Sequence, residues 1–378
     1  MQLVDIYRYI ILSIVTVLTF QQSNIYKRQT VNLKFAEGKQ NDIMGFLLFV
    51  ALTLMIGLRP IENGMAIQWA DTSSYYRAYL LLEGIHFDFD STPYEIIWTN
   101  LFNLCAAYKL GLTPLFVLCA AIYFGGTYIA ARKWFPHNTL AAYLVFLGAF
   151  STYSYSFNGV RAGVAGALFL LAIAYYDRKV LSIFFVICSW GFHHSMQLPI
   201  AAYVLTLLYK KPKWYFYGWA FCALMAVAHV SSFQNLFKSL TDEQGASYLG
   251  GPGAEGDGTI GGFRIDFLLY SAMPVLIGYK VVMKEKLKVS KLYSSLLRMY
   301  LCTNGIWMLC MYASFTNRIA YLGWFMYPFV LIYPFLKEDL RGTLLLGTRN
   351  QYSMFSKVIM YHLYFTLFME LVFYEFIK

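Results

Sequence analysis

The feature that most constrains this chain is the alternation of long apolar stretches with short basic clusters. A helix needs roughly 20 apolar residues to cross the hydrocarbon core of a bilayer, and stretches near that length recur from one end to the other. A soluble domain would carry roughly 25% charged residues, whereas only 13% of these 378 residues are charged and 59% are hydrophobic. The pattern predicts an all-α fold: a polytopic transmembrane helix bundle, forming one integral membrane domain over residues 1–378. Spans are expected at about 4–22, 43–58, 112–131, 139–156, 161–176, 180–194, 196–209, 214–230, 263–282, 293–313, 318–336 and 355–376, about 12 in all. Residues 4–22 lack the charged start and small-residue cleavage site of a signal peptide and are read as a retained span.

The net charge of +10 does not point to nucleic acid, because Lys and Arg sit in short clusters between apolar spans. That is how cytoplasmic loops orient a membrane protein. Segment 94–110 decides the count, since it carries Glu95, Asn100, Asn103 and Lys109 among apolar residues. Read as a membrane-associated helix that does not cross, it leaves every basic cluster on one side. These clusters are Lys27/Arg28/Lys34/Lys39, Arg132/Lys133, Arg178/Lys179, Lys210/Lys211/Lys213, Lys284/Lys286/Lys288/Lys291 and Lys337/Arg341/Arg349. Counting it as a span would reverse every later loop. The opposite, extracytoplasmic side then receives two long loops, about 59–93 and 231–262, expected to bear short helices. The second loop ends in the glycine-rich run Gly245–Gly262. It lacks the strand–loop–helix setting and Lys of a phosphate-binding loop and is read as a flap over a site.

Charged and titratable residues inside or at the ends of spans need a reason, because an arginine at bilayer depth costs about 2.5–3.5 kcal/mol even on the lenient insertion scale. Arg161, Arg264 and Arg318 each open an apolar helix, with Asp266 two residues after Arg264. His193 and His194 end another, while Asp71 and Glu95 flank the first long loop. By the orientation above, all of them fall toward one membrane face. Guanidinium groups match the oxygens of phosphates, helix N-termini add to the attraction for anions, and an acid or histidine beside them can serve as a general base.

Each residue also has a plainer reading. The arginines can snorkel to the headgroups, a histidine can simply bond within the bundle, and Asp71 can cap the helix that follows it. Tyr75-Tyr76-Arg77-Ala-Tyr79 reads first as an interfacial aromatic belt, with sugar stacking as the alternative. The six cysteines lie in apolar stretches without metal-ligand or disulfide spacing. Adjacent His193 and His194 point to different faces of a helix, so no metal site is expected.

In order along the chain stand Asp71-Thr-Ser-Ser-Tyr-Tyr76, Tyr94-Glu95, Val160-Arg161-Ala-Gly-Val-Ala-Gly166, Gly191-Phe-His-His194-Ser, Phe263-Arg264-Ile-Asp266 and Asn317-Arg318-Ile-Ala-Tyr321. This series resembles the EpsG-like branch of the Wzy-type bacterial polysaccharide polymerases of O-antigen, capsule and exopolysaccharide assembly. The likeness runs from about residue 60 to 336. It departs at Arg161-Ala162, where relatives often read Arg-Gln.

The resemblance implies a glycosyltransferase that joins undecaprenyl-diphosphate-linked repeat units at the outer face of the inner membrane; with no metal site expected from the histidines, its chemistry is expected to be metal-independent and to need no cofactor. It implies Arg161, Arg264 and Arg318 at the diphosphate, and Asp71 or His194 as the base. Glu95 or Asp266 would orient a sugar or an arginine, with Tyr76 at the sugar. Lipid-linked glycan and membrane lipid are the expected partners, with a chain-length regulator protein as a candidate and no nucleic acid. A flippase for lipid-linked oligosaccharide would also need membrane arginines, but it would be expected to place charge at the midplane and to show repeated halves. A membrane acyltransferase would account for a histidine alone, not for three arginines.

Overall fold

The computed structural model describes residues 2–28, 39–62, 64–69, 71–92, 94–230, 232–233, 262–313, 316–340 and 342–377. The flap expected at 245–262 lies outside them except for Gly262, as do Lys34 and Arg341 of the basic clusters. Among the described residues the fold is all-helical, and an isolated bridge between Leu345 and Thr348 is the one β-type pairing. The chain forms two compact units, residues 1–197 with 344–378 and residues 198–343.

The first unit begins with α1 (Leu3–Arg28), α2 (Lys39–Gly57), a short 3₁₀ helix (Met65–Trp69), α3 (Thr72–Leu82) and α4 (Ile96–Ala107). It continues through α5 (Thr113–Trp134), α6 (Thr139–Leu147), α7 (Phe150–Phe157), α8 (Val160–Ala174) and α9 (Lys179–Phe192). The C-terminal helix, here α16 (Gln351–Phe368), returns to pack along α1. Helix α5 packs against α2 and α8, and α9 lies against α8 and α4. Helix α8 is buried at every position from Gly163 to Ala174. Its small residues permit this, since Gly and Ala let neighbouring helices approach closely.

Among the described residues, five helical stretches are long and apolar enough to cross a membrane: Leu3–Arg28, Thr113–Trp134, Ile265–Lys284, Thr316–Lys337 and Gln351–Phe373. A sixth is added if α6 and α7 count as one span. The protein is therefore a multi-pass membrane protein. The expected spans 43–58, 161–176, 180–194 and 196–209 are apolar helices of 10–17 residues, shorter than the roughly 20 residues of a straight crossing.

Segment 139–156, expected as one span, is broken into α6 and α7 with a bend of 70°. The bend takes carbonyls out of the helical ladder, and side chains satisfy them. His362 Nε2 donates to the Val145 carbonyl at 2.9 Å, Thr366 Oγ1 to Gly148 at 2.7 Å and Thr152 Oγ1 to Phe146 at 2.6 Å. His362 and Thr366 stand four residues apart on one face of α16. Broken backbone survives at membrane depth where protein groups satisfy it in this way.

The second unit contains most of α10 (Gln197–Leu208), which begins at the boundary, then α11 (Pro212–Val227) and α12 (Ile265–Tyr279). Helices α13 (Lys291–Leu309), α14 (Thr316–Trp324) and α15 (Tyr327–Lys337) follow. Its core is aromatic, and three indole N–H groups find acceptors: Trp219 in Asn304, Trp307 in Thr316 and Trp324 in Ser271, at 2.8–3.0 Å. A buried indole needs such a partner. Ser290 caps α13 through its side chain and is itself held by the Glu338 carboxylate at 2.6 Å.

Candidate functional site

Three elements of the first unit converge on one carboxylate. Glu95 immediately precedes α4, with φ of 48°. This left-handed conformation is uncommon for a residue with a side chain, and here it stands where the loop turns into the helix. Helix α8 begins at Val160 and delivers Arg161 in its first turn. Helix α9 ends at Phe192, placing His193 in extended backbone just beyond it. Two contacts fix α9 in register: Ser189 Oγ donates to the Ala165 carbonyl of α8 at 2.7 Å, and Gly191 lies against Ile97 of α4. A β-carbon at Gly191 would stand 2.7 Å from Ile97 Cδ1, so the close passage of α9 over α4 depends on glycine.

Glu95 is 2% exposed, and both its oxygens are used. Oε2 forms a salt bridge with Arg161 Nη1, and His193 Nδ1 lies 2.5 Å from Oε1. Arg161 and His193 are each about a quarter exposed, so the cluster has a buried acid and two partly open partners. With Nδ1 donating to the carboxylate, the imidazole presents Nε2 as an acceptor. Among the described residues nothing hydrogen-bonds to that nitrogen.

Burial would raise the Glu95 carboxyl, but the His193 hydrogen bond and the charges of His193 and Arg161 prevail. Together they hold it below the usual carboxylate range. Glu95 is thus a fixed anion that orients its partners.

A second layer surrounds Arg161. Its guanidinium carbon lies 5.8 Å from the Trp98 ring and 5.9 Å from the Tyr75 ring, and the two rings are 5.2 Å apart. Arg161 is within hydrogen-bonding reach of the Tyr75 hydroxyl, and the charges of Asp71 and Glu95 act on that hydroxyl as well. Burial pushes the Tyr75 hydroxyl up, with the two carboxylates adding to the shift and Arg161 opposing it. It therefore stays protonated as a donor. Asp71 precedes α3 but makes no side-chain capping bond, so the helix-capping reading does not account for it. The structure thus brings Asp71, Glu95 and Arg161 of the expected residues into one neighbourhood.

Two expected residues stand beside this cluster while their sequence neighbours occupy it. His193, not His194, bonds Glu95; the His194 ring instead packs edge-on against Tyr94 at 4.9 Å. Tyr75, not Tyr76, is the tyrosine beside Arg161. The helical period offered a signal for the second: Asp71 and Tyr75 are four residues apart and share a face. No spacing rule separates two adjacent histidines at a helix end. Reasoning from sequence also passed over Arg59, which is buried beneath α3.

Arg264, Asp266 and Arg318 belong to the second unit. Arg264 precedes α12 in non-helical backbone, which lets it turn back on a residue two positions ahead. It forms a two-pronged pair with Asp266, Nε to Oδ1 at 2.9 Å and Nη2 to Oδ2 at 2.5 Å, and its guanidinium lies 3.7 Å from the Phe267 ring. Arg318 is exposed in the first turn of α14, where its backbone N–H is held by Asn317 at 3.0 Å. Among the described residues no three His, Cys, Asp or Glu side chains gather as a metal site.

The fold and site define a multi-pass helical membrane protein with a buried carboxylate clamping a histidine and an arginine. A model of the EpsG family matches residues 42–376, which take in the second unit, most of the first and every residue of the cluster. The chain belongs to the EpsG family, a family associated with polysaccharide biosynthesis. None of the curated proteins and none of the solved structures compared with the chain matches it.

Proposed function

We propose that the protein is a polysaccharide polymerase that joins undecaprenyl-diphosphate-linked repeat units, with its acid–base centre at His193 and Glu95. The observation that carries this reading is the buried Glu95 carboxylate, which holds His193 through Nδ1 and Arg161 through its second oxygen.

In the proposed reaction, His193 Nε2 takes the proton of an acceptor sugar hydroxyl as that oxygen attacks the anomeric carbon of the donor. A new carbon–oxygen bond forms, the bond from the anomeric carbon to the diphosphate oxygen breaks, and undecaprenyl diphosphate leaves. Glu95 fixes the imidazole tautomer and stabilises the imidazolium. Arg161, partly open on its other side, faces the charge that develops on the leaving group. Tyr75 takes the place expected of Tyr76 beside the sugar. For Arg264 and Arg318, in the second unit, diphosphate binding stays a separate proposal, tested by Arg264→Ala and Arg318→Ala in the polymerisation assay. The reaction needs no metal in this scheme. The short apolar helices also cross the bilayer, bringing the count to about 12 spans, and the site faces the outside of the inner membrane.

The test uses purified protein in nanodiscs with a synthetic polyprenyl-diphosphate repeat unit and EDTA, with product length followed by gel. Wild type should give a polymer ladder. His193→Ala should lower the rate by about 100-fold or more, the range of a lost general base, while His194→Ala should stay within about threefold of wild type. Equal losses in the two histidine variants would remove His193 from the role of base. Movement of the lipid across a liposome with no ladder would place the protein among transporters.

A further inference from the structure

Of the arginines in the first unit, Arg59 is buried without an acid. It follows α2 directly and is 2% exposed. Nη1 donates to the Ile56 carbonyl at 2.9 Å, Nη2 to Thr72 Oγ1 at 3.1 Å, and Nε is buried without a hydrogen-bond partner. Among the described residues no carboxylate pairs with it. Its guanidinium carbon lies 3.9 Å from the Phe116 ring of α5.

A charge taken out of water without a counter-ion is costly. An arginine that merely capped α2 would need only the Ile56 bond and would more cheaply reach solvent. The other contacts give Arg59 a different meaning. Thr72 and Tyr75 are three residues apart on the buried face of α3, and the Tyr75 ring lies 6.3 Å from the same Phe116 ring that Arg59 covers. Arg59 therefore grips the first turn of α3 at Thr72 and the floor under Tyr75 at Phe116. The hydroxyl of that tyrosine stands among Arg161, Glu95 and Asp71.

We propose that Arg59 is a positioning residue: by bridging Ile56, Thr72 and Phe116 it sets the register of α3 that places Tyr75 against Arg161. It touches no substrate and acts through Tyr75. Its kinetic part rests on the polymerase reading; its structural part does not.

The experiment compares Arg59→Met, Arg59→Lys, Tyr75→Phe and the Arg59→Met/Tyr75→Phe double variant in nanodiscs. It reads amide hydrogen exchange over 72–82 and the kcat and KM of polymerisation. Arg59→Met should lose protection in 72–82 while 163–174 keeps it. Its kcat should fall about tenfold, the size of one coupled contact, with KM changed less than about threefold. Arg59→Lys should recover most of the protection and rate, since an ammonium can reach both oxygens without covering Phe116. The double variant should be no slower than the slower single, because both act through one hydroxyl.

Wild-type protection of 72–82 in Arg59→Met would overturn the proposal, as would losses that multiply in the double variant. If Arg59→Met does not fold, Thr72→Val removes the same bond from the other end, and wild-type exchange and kinetics there would overturn it equally. Absence of polymer from wild type would sink the polymerase reading alone, since the exchange data would still decide the role of Arg59.

Discussion

The arginine–carboxylate pairs Arg264–Asp266 and Arg161–Glu95 are built in opposite ways. In the second unit, Arg264 and Asp266 are two residues apart, and their bond follows from one turn of non-helical backbone before α12. In the first unit, Glu95 and Arg161 are 66 residues apart, and His193 lies 98 residues beyond Glu95. The local pair can form as soon as its helix starts. The distant one exists only after α4, α8 and α9 have packed, and its carboxylate ends with 2% of its surface exposed. The distant cluster therefore reports on assembly of the unit as well as on chemistry, and its loss should cost far more.

The largest effect expected is that of Glu95→Ala. It removes the carboxylate that both Arg161 and His193 bond. Breaking a buried pair by removing one partner typically costs about 3–5 kcal/mol, and the polymerisation rate should fall about 100-fold. Thermal unfolding in nanodiscs and the ladder assay read the two losses separately. A variant as stable as wild type would mean that the cluster is not a tertiary clamp.

Acidification should erase part of that difference. The Glu95 carboxyl is held below its usual range in the folded protein, against an unfolded value of about 4.3. Its stabilisation is therefore whole above about 4.3 and is lost as the pH falls through the lower, folded value. The gap in unfolding midpoint between wild type and Glu95→Gln should be present at about pH 5 and close below about 4. A gap that closed near neutrality would show that the carboxylate is not the group being protonated.

Gly191→Ala should have an intermediate effect. The new methyl would meet Ile97 Cδ1 at 2.7 Å and Cγ1 at 2.8 Å, forcing α9 away from α4 and drawing His193 from Glu95. Overpacking of this kind costs about 1–3 kcal/mol. Trimming the obstacle with Ile97→Ala in the same protein should restore the His193-dependent rate. Failure of that rescue would place the effect elsewhere.

Much of this was legible in the sequence, for reasons that can be stated residue by residue. The helical membrane fold followed from apolar length, and Asp71, Glu95 and Arg161 were singled out because charge near a span is expensive. The bend in 139–156 was not legible, because the groups that make it tolerable, His362 and Thr366, lie more than 200 residues away. Nor was His193 over His194: which of two neighbouring imidazoles meets a carboxylate depends on the last turn of α9, set by Gly191 against Ile97. Arg59 was missed because an arginine after an apolar run reads as snorkelling, and only the packing of α3 and α5 around it shows that it is buried.

The smallest effect completes the comparison. Asp266→Asn keeps the shape of the side chain and removes its charge from a pair whose members are 13% and 15% exposed. Arg264 retains the Phe267 ring beneath its guanidinium at 3.7 Å, and the local geometry of the helix start does not depend on the carboxylate. The Asp266 carboxylate serves a pair that forms within one turn of backbone, whereas Glu95 ties three helices together, so the unfolding midpoint should move less than in Glu95→Ala. The informative quantity is the ratio of the two shifts. If Asp266→Asn destabilised the protein as much as Glu95→Ala, sequence separation and burial would not be what distinguishes the pairs. A small loss of stability with a large loss of polymer is the result expected if Arg264 binds diphosphate as proposed.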